Sequence, residues 1–418
     1  MGRAFMAIMS SCMRRLALAS ALLLAGFAGK ALADGFSALH IFQGFPTDGG
    51  TPYSDLIADS SGNLYGTTNV GGKNLIYGSV YKIAPDGTET ILYSFPPNGN
   101  GAFPQGRLLL LNGDLYGTTV GGGKTNVGTI FKLAANGTET VLYEFCKELK
   151  NNTCPDGAYP KNGLVSDDAG NLYGVTEYGG SAGGGVAFKL ATDGTFSLLH
   201  TFCTKSQCSD GAYPYAELTL DASGNVYGTA GIGGGNLDQG PDTGCGVVFQ
   251  ITPSGSYKIL HAFKGGSEGA FPQGSVVRDA AGNLYGTTTS GGVMDCSTLK
   301  TGCGTIYRLA PDGTIAVLYA FKGGLDGGTP LGQLLRDGSG NLYGTTAGPN
   351  DELGFATVFK LSPKGREKAL HVFCVNDGNC LHGVRPTAGL VLVGDTFYGT
   401  TPIGGAPGWG VVFKLPKK

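Results

Sequence analysis

Charge is scarce in this chain. Only 14% of its 418 residues are Asp, Glu, Lys or Arg, and they nearly cancel, at 29 basic against 31 acidic. No block of like charges occurs, so a nucleic-acid surface, a polybasic membrane patch and an acidic tail are all unsupported. Histidine is limited to five copies and tryptophan to one. There is no HExxH zinc pattern, no GxSxG elbow, and no P-loop or dinucleotide glycine motif in a strand-to-helix context, which removes the commonest hydrolase and nucleotide-binding signatures. Beyond residue 29 no apolar run is long enough to cross a bilayer.

The one apolar run is N-terminal. Arg14 and Arg15 precede an apolar stretch over residues 16–29, and Ala31-Leu32-Ala33 offers a small-residue cleavage site before Asp34. Residues 1–33 therefore read as a secretory signal peptide, and residues 34–418 as the mature protein. Its removal takes out Arg3, Arg14, Arg15 and Lys30 and no acid, leaving 25 basic against 31 acidic residues. A periplasmic or extracellular location follows, with no transmembrane anchor after cleavage.

Glycine is abundant, at 75 residues, and it is periodic. A hexapeptide begins at Asn63 (NLYGTT), Asp114 (DLYGTT), Asn171 (NLYGVT), Asn225 (NVYGTA), Asn283 (NLYGTT), Asn341 (NLYGTT) and Thr396 (TFYGTT), at intervals of 51 to 58 residues. Each copy has the same surroundings: a short apolar run, a turn, the hexapeptide strand, a Gly-rich loop, a third strand such as residues 128–133, a tight Asp-Gly or Asn-Gly turn and a fourth strand such as residues 317–321. Short β-rich runs separated by such turns are antiparallel hairpins. The third-strand aromatic and the fourth-strand phenylalanine stand 14 residues apart, as in Tyr81 and Phe95 or Phe359 and Phe373, so one hairpin register is expected throughout.

The seventh copy stops after its third strand, and an unmatched fourth-strand motif, Ala38-Leu39-His40-Ile41-Phe42, opens the mature chain. Joined, they complete one unit. The expected fold is all-β: a seven-bladed β-propeller of four-stranded antiparallel blades, closed by the N-terminal strand. Length varies in the second-to-third loop and in the crossover between copies, which share one face.

The succession GNLYGTT, GG, GTVFKL-like, PDGT and LYxF resembles the GloVer tandem-repeat family of exported bacterial proteins, from Phe36 to the end. That resemblance implies export and a repeat fold, and names no activity. Many members carry a C-terminal sorting segment where this chain has Pro416-Lys417-Lys418. The glycine doublets are also similar to those of kelch propellers, without the regular tryptophan of that family.

Candidate chemistry is sought where the copies differ. His40, His200, His261 and His371 share a fourth-strand position with Tyr93, Tyr143 and Tyr319, and read as structural. His382, in a crossover loop, stands apart from that series. The hexapeptide tyrosines (Tyr65, Tyr116, Tyr173, Tyr227, Tyr285, Tyr343, Tyr398) read as inter-blade packing with one hydroxyl partner each. Asp59, Asp168, Asp221, Asp279 and Asp337 read as Asx-turn residues rather than calcium ligands. Three places after each crossover proline the residues are Asp55, Arg107, Gly163, Glu217, Ser275, Gln333 and Gly389, a ring bordering the channel mouth. Asp55, Glu217 and Arg107, with Gln333, suit a polar ligand site, or an acid/base pair if burial raises one carboxyl; a hydrated rim is the plain alternative. Just before the third strand, Phe355, Trp409 and Tyr77 fall in adjoining blades and suit stacking on sugar rings or a partner protein, or simple loop packing.

Ten cysteines less Cys12 of the signal leave nine. Cys146 with Cys154, Cys203 with Cys208, and Cys374 with Cys380 each share a crossover loop and are expected to pair. Cys296 is assigned to Cys303, leaving Cys245; a Cys245 to Cys296 link is the alternative.

The resulting expectation is an exported, non-enzymatic, monomeric propeller that binds a glycan or protein through its loop-rich face, without cofactor or resident metal. The alternatives are a hydrolase or lyase acting on a carbohydrate-like substrate at the channel mouth, and a structural envelope protein without a small ligand.

Overall fold

The computed structural model describes residues 35–418 except 74–75, 98, 150–152, 236–243, 297–300, 349–354, 375–379 and 381. The expected signal segment, residues 1–33, lies outside the described residues.

Each repeat forms one four-stranded antiparallel sheet, and the seven sheets stand as blades in a ring. In blade 3 the innermost strand is Val165–Ser166, followed by Leu172–Thr176, Val186–Leu190 and, outermost, Phe196–Thr201. Blade 7 is composite. Its strands Val391–Val393, Thr396–Thr401 and Val411–Pro416 are completed by Ser37–Ile41, with Ser37 opposite Lys414 and Ile41 opposite Val411. The seven-bladed ring and its closure are as the repeat predicts.

The hexapeptide acquires a physical role at each position. In blade 3, Leu172 enters the core, and the Tyr173 hydroxyl donates to Asp167 Oδ2 at 2.9 Å. Gly174 lies beneath the third-strand ring, where a Cβ would meet Phe188 Cζ at 2.6 Å. In blade 2, Thr118 donates to the Asn162 carbonyl in the crossover of the next blade, and Thr119 Oγ1 accepts the Thr129 N–H of the third strand. The turn aspartate closes this set. Asp59 Oδ1 accepts from the Ser61 and Asn63 N–H groups while Oδ2 accepts from the Asn63 amide and the Tyr65 hydroxyl. Blade 3 corrects the sequence alignment: Asp167, not Asp168, makes these contacts, because it stands four residues before Asn171 as Asp59 does before Asn63. Hydrogen bonds from the neighbouring asparagine and tyrosine hold Asp337 down at about 2 despite its partial burial.

The outer hairpin carries one detail that spacing alone conceals. In every blade the register shifts by one residue at the same place, between Ala187 and Phe188 in blade 3. The residue inserted there is always leucine: Leu39, Leu92, Leu142, Leu199, Leu260, Leu318 and Leu370. A bulge re-aims the side chain, and all seven leucines pack against the next blade.

The core accordingly lies between blades rather than within them. Ile57, Val80 and Phe95 of blade 1 cluster with Leu108, Leu115, Phe131 and Leu133 of blade 2, and the other six clusters repeat this pairing around the ring. At the centre of each interface the fourth-strand phenylalanine meets the next blade's third-strand aromatic edge-on, with centroids 5.1 to 5.4 Å apart. Edge-to-face geometry at this distance is favourable because the electropositive ring edge meets the electron-rich face. The hexapeptide tyrosines flank these contacts, so they too pack between blades.

Disulfides join Cys146 to Cys154, Cys203 to Cys208, Cys296 to Cys303 and Cys374 to Cys380, all on the loop-rich side. Cys245 is buried outside these four pairs.

Candidate functional site

The crossover into each blade sets the geometry of the channel mouth. The residue before its proline, Thr51, Phe103, Tyr159, Tyr213, Phe271, Thr329 or Arg385, adopts φ between 52° and 58° in all seven blades. This is an uncommon conformation for a side-chain-bearing residue, and it persists only where neighbouring contacts over-determine it. Here two backbone bonds do so: the Tyr159 N–H donates to the Val127 carbonyl of blade 2, and the Tyr159 carbonyl accepts from the Glu177 N–H. Phe103, Tyr213 and Phe271 are held in the same way.

With the backbone pinned, the following residues point into the channel in layers. The first residue after the proline, Tyr53, Gln105, Lys161, Tyr215, Gln273, Leu331 or Thr387, forms the wall of a cavity of about 270 Å³. The third residue forms its floor, through Asp55, Arg107, Gly163, Glu217, Ser275 and Gln333. Below the floor a second cavity of about 910 Å³ has walls of mixed polarity, with Ile57, Leu108, Leu164, Leu218 and Val391 beside Asp59, Ser166 and Thr219, and Arg107, Glu217 and Gln333 border both spaces. These side chains therefore form a polar septum across the channel.

The septum depends on two glycines. Glu217 of blade 4 reaches past blade 3 to Arg107 of blade 2, with 3.1 Å between Oε1 and Nη1. It passes over Gly163, where a Cβ would stand 2.6 Å from Glu217 Oε2. Asp55 of blade 1 lies against Gly389 of blade 7 and accepts its N–H at 2.7 Å. Burial pushes the Glu217 carboxyl up to about 7, with the Asp55 charge adding to the effect and Arg107 opposing it. Burial also raises Asp55, against the Gly389 hydrogen bond and the Arg107 charge. The arrangement thus supplies one guanidinium and two carboxyls of elevated basicity, which can bind a polar ligand or exchange protons with it.

Beside this funnel lies a group that divergence at the third position does not reveal. Tyr178 sits between Tyr159 and Tyr213, with ring centroids 5.9 and 5.2 Å away, and Tyr159 and Tyr178 are each 37% exposed. Beneath them the buried Glu177 carboxylate is paired with Lys161 of the funnel wall. Variation at the first position after the proline could have singled out Lys161, and variation at the position before the proline Tyr159 and Tyr213.

Phe355, Trp409 and Tyr77 occupy one repeat position, but no ring pair joins any two of them among the described residues. Tyr77 is half-buried against Phe103, with centroids 5.8 Å apart. Trp409 covers Gly44 and Gly50, where a Cβ would stand 2.4 and 2.7 Å from its ring. Phe355 is exposed and holds a φ of 61°. The fourth-strand histidines and tyrosines pair with crossover acids, as in Tyr143 with Asp156, His261 with Glu268 and Tyr319 with Asp326. His382 takes the acid's place in the crossover into blade 7 and meets Phe36 edge-on at 5.5 Å.

A family model described as the Gloeobacter/Verrucomicrobia repeat matches residues 30–240, 149–299 and 296–418. No curated protein matches the chain in sequence. Among solved structures, the extracellular domain of BT4673 from B. thetaiotaomicron is 10% identical over 90% of this chain and 39% of that one, with a TM-score of 0.53. PorZ, a bacterial surface component of the type-IX secretion system of Porphyromonas gingivalis, is 13% identical over 90% and 48%, at 0.50. A Mycobacterium tuberculosis puromycin-hydrolyzing peptidase is 13% identical over 87% and 52%, at 0.51. The chain spans between two fifths and about half of the length of each, and the likeness extends to the fold alone.

Proposed function

This chain belongs to the Gloeobacter/Verrucomicrobia repeat family, and from that premise we propose that it is an exported, non-enzymatic propeller that binds a glycan at the funnel on its loop-rich face. Export is supported by the N-terminal signal pattern and by four disulfides, which persist in oxidising compartments. Among the described residues no helix is long and apolar enough to cross a membrane.

The observation that carries the glycan reading is the tyrosine group beside the polar cavity. A pyranose ring presents C–H bonds on one face and hydroxyls around its edge. Partly exposed rings at Tyr159, Tyr178 and Tyr213 offer electron-rich faces to the former. Lys161, Gln105, Gln273, Asp55 and Arg107 offer donors and acceptors to the latter. In a glycan array followed by calorimetry on the best ligand, Tyr178→Ala and Arg107→Gln are each expected to weaken binding by roughly tenfold or more. Trp409→Ala is expected to change affinity little, because that ring covers its own chain. The proposal fails if no glycan binds, or if the best ligand binds both of the first two variants as tightly as the parent.

The elevated Glu217 and Asp55 carboxyls favour a second reading, acid/base cleavage of a carbohydrate-like substrate at the septum. It requires measurable turnover of aryl glycosides or uronate polymers that Asp55→Asn and Glu217→Gln each reduce at least a hundredfold. Turnover indifferent to both would exclude it.

A further inference from the structure

One junction between blades differs from its equivalents in a way the glycan reading does not use. At each, the fourth-strand histidine or tyrosine of one blade faces the first residue of the next blade's outer strand. Where that rim residue is histidine, the neighbour is usually an apolar or aromatic cover. Tyr257 stacks on His200 with centroids 3.6 Å apart, Phe36 stacks on His371 at 3.7 Å, and Ile315 packs in the cluster between blades 4 and 5. Phe196 covers Tyr143 in the same way, at 4.1 Å.

At the seam where the ring closes, the cover is replaced by a carboxylate. His40 of the closing strand, Asp48 of the crossover and Glu89 of blade 1 converge, with one ligand atom from each lying within 4.8 Å of the others. Glu139 and Glu367 hold the same outer-strand position, but they face Tyr93 and Tyr319 rather than an imidazole, and the Tyr93 hydroxyl donates to Glu139. At the seam the imidazole Nε2 is already directed to Asp48 Oδ2, at 3.3 Å. Glu89 Oε1 is buried without a hydrogen-bond partner, as Glu139 Oε1 and Glu367 Oε1 are at their junctions, but among the described residues only at the seam do two carboxylates stand together with an imidazole. Burial of such a group is costly without a compensating positive charge.

We propose that His40, Asp48 and Glu89 bind a first-row divalent cation of the Zn²⁺ or Mn²⁺ class, which latches the closing strand to blade 1. One imidazole nitrogen with two carboxylate oxygens is a donor set for such ions rather than for Ca²⁺, which takes oxygen ligands. The outer shell is in place: Asp48 accepts the Gln43 and Gly49 N–H groups, and the His40 ring rests edge-on against Phe42 at 4.8 Å. Closing on ligand distances of roughly 2.0–2.2 Å takes rotation of the Glu89 side chain into the gap. The remaining coordination positions fall to water.

The test is calorimetric titration of ZnCl₂ and MnCl₂ into protein purified without a histidine tag and stripped with EDTA, together with thermal melting in each ion. One saturable site and a rise in melting temperature are expected for at least one of the two ions, with CaCl₂ giving neither. Glu89→Gln, which keeps the shape and removes the charge, and His40→Gln should each weaken binding at least tenfold; Glu139→Gln should bind as the parent does. The proposal is overturned if neither ion binds saturably, or if Glu89→Gln binds as tightly as the parent, which would place the ion elsewhere. Should His40→Gln fail to fold, Glu89→Gln alone decides.

Discussion

Protein beginning at Gln43 is expected not to form the ring at all, whereas protein beginning at Asp34 folds. The missing segment is small, but it serves two interfaces and one sheet. Strand Ser37–Ile41 covers the edge of Val411–Pro416, which would otherwise expose unpaired backbone groups. Phe36 stacks on His371 and meets Phe373 and Phe413, tying blade 6 to blade 7. Phe42 is fully buried and reaches Tyr81 of blade 1 at 5.2 Å. Phe42→Ala alone is expected to cost about 3–5 kcal/mol, a large part of the roughly 5–15 kcal/mol that stabilises a typical domain. Circular dichroism, gel filtration and urea unfolding would show it. A truncated chain that is monomeric and melts with the parent would refute the closure argument.

At pH 8, Arg107→Ala is expected to destabilise the protein by about 1–1.5 kcal/mol, because Glu217 loses its counter-charge and must either stay buried as a carboxylate or hold its proton above its folded range. At pH 5 the same substitution should cost much less, since Glu217 then holds its proton and has little charge to compensate. The parent protein should show the same group in its pH profile. The folded carboxyl is raised to about 7 from an ordinary value near 4.5, so its contribution is fully present below about 4.5 and is lost as pH rises through about 7. Melting temperature should therefore fall across that window, more steeply in Arg107→Ala, and Glu217→Gln should flatten the fall. Combining Arg107→Met with Glu217→Gln should recover much of the loss, as paired removal of a buried ion pair commonly does. An Arg107→Ala cost that is undetectable at pH 8, or equal at both pH values, would mean that water reaches the septum and screens the pair.

Blade number, strand order and ring closure were legible because the hexapeptide tyrosine packs between blades and its glycine lies beneath the third-strand ring in every blade. The misplacement of the turn aspartate at Asp168 arose because two aspartates are adjacent and only the distance to Asn171 separates them. What stayed hidden were contacts that skip units. Variation among Asp55, Arg107 and Glu217 pointed to the channel, but nothing in the spacing says that Glu217 bypasses blade 3 over Gly163 to meet a residue 110 positions away. The grouping of Phe355, Trp409 and Tyr77 failed to become a ring contact for a related reason. Sharing a repeat position places residues one blade apart around the ring, and each turned to its own crossover. The tyrosine group succeeds geometrically because it joins two repeat positions, Tyr159 and Tyr213 before their crossover prolines and Tyr178 after the hexapeptide, rather than one position from three blades.

The offset between the repeat and the core has a consequence for how such a chain can be recombined. A repeat cut before its innermost strand carries one blade, but each hydrophobic cluster is shared by the facing sheets of two neighbouring blades. Exchanging a whole blade with a relative would therefore create two hybrid interfaces. Exchanging two consecutive blades together would carry the interface between them intact, with its complete crossover loop. Inheritance that preserves the fold should favour the second kind of exchange, moving a binding loop and the core that supports it together as a two-blade cassette.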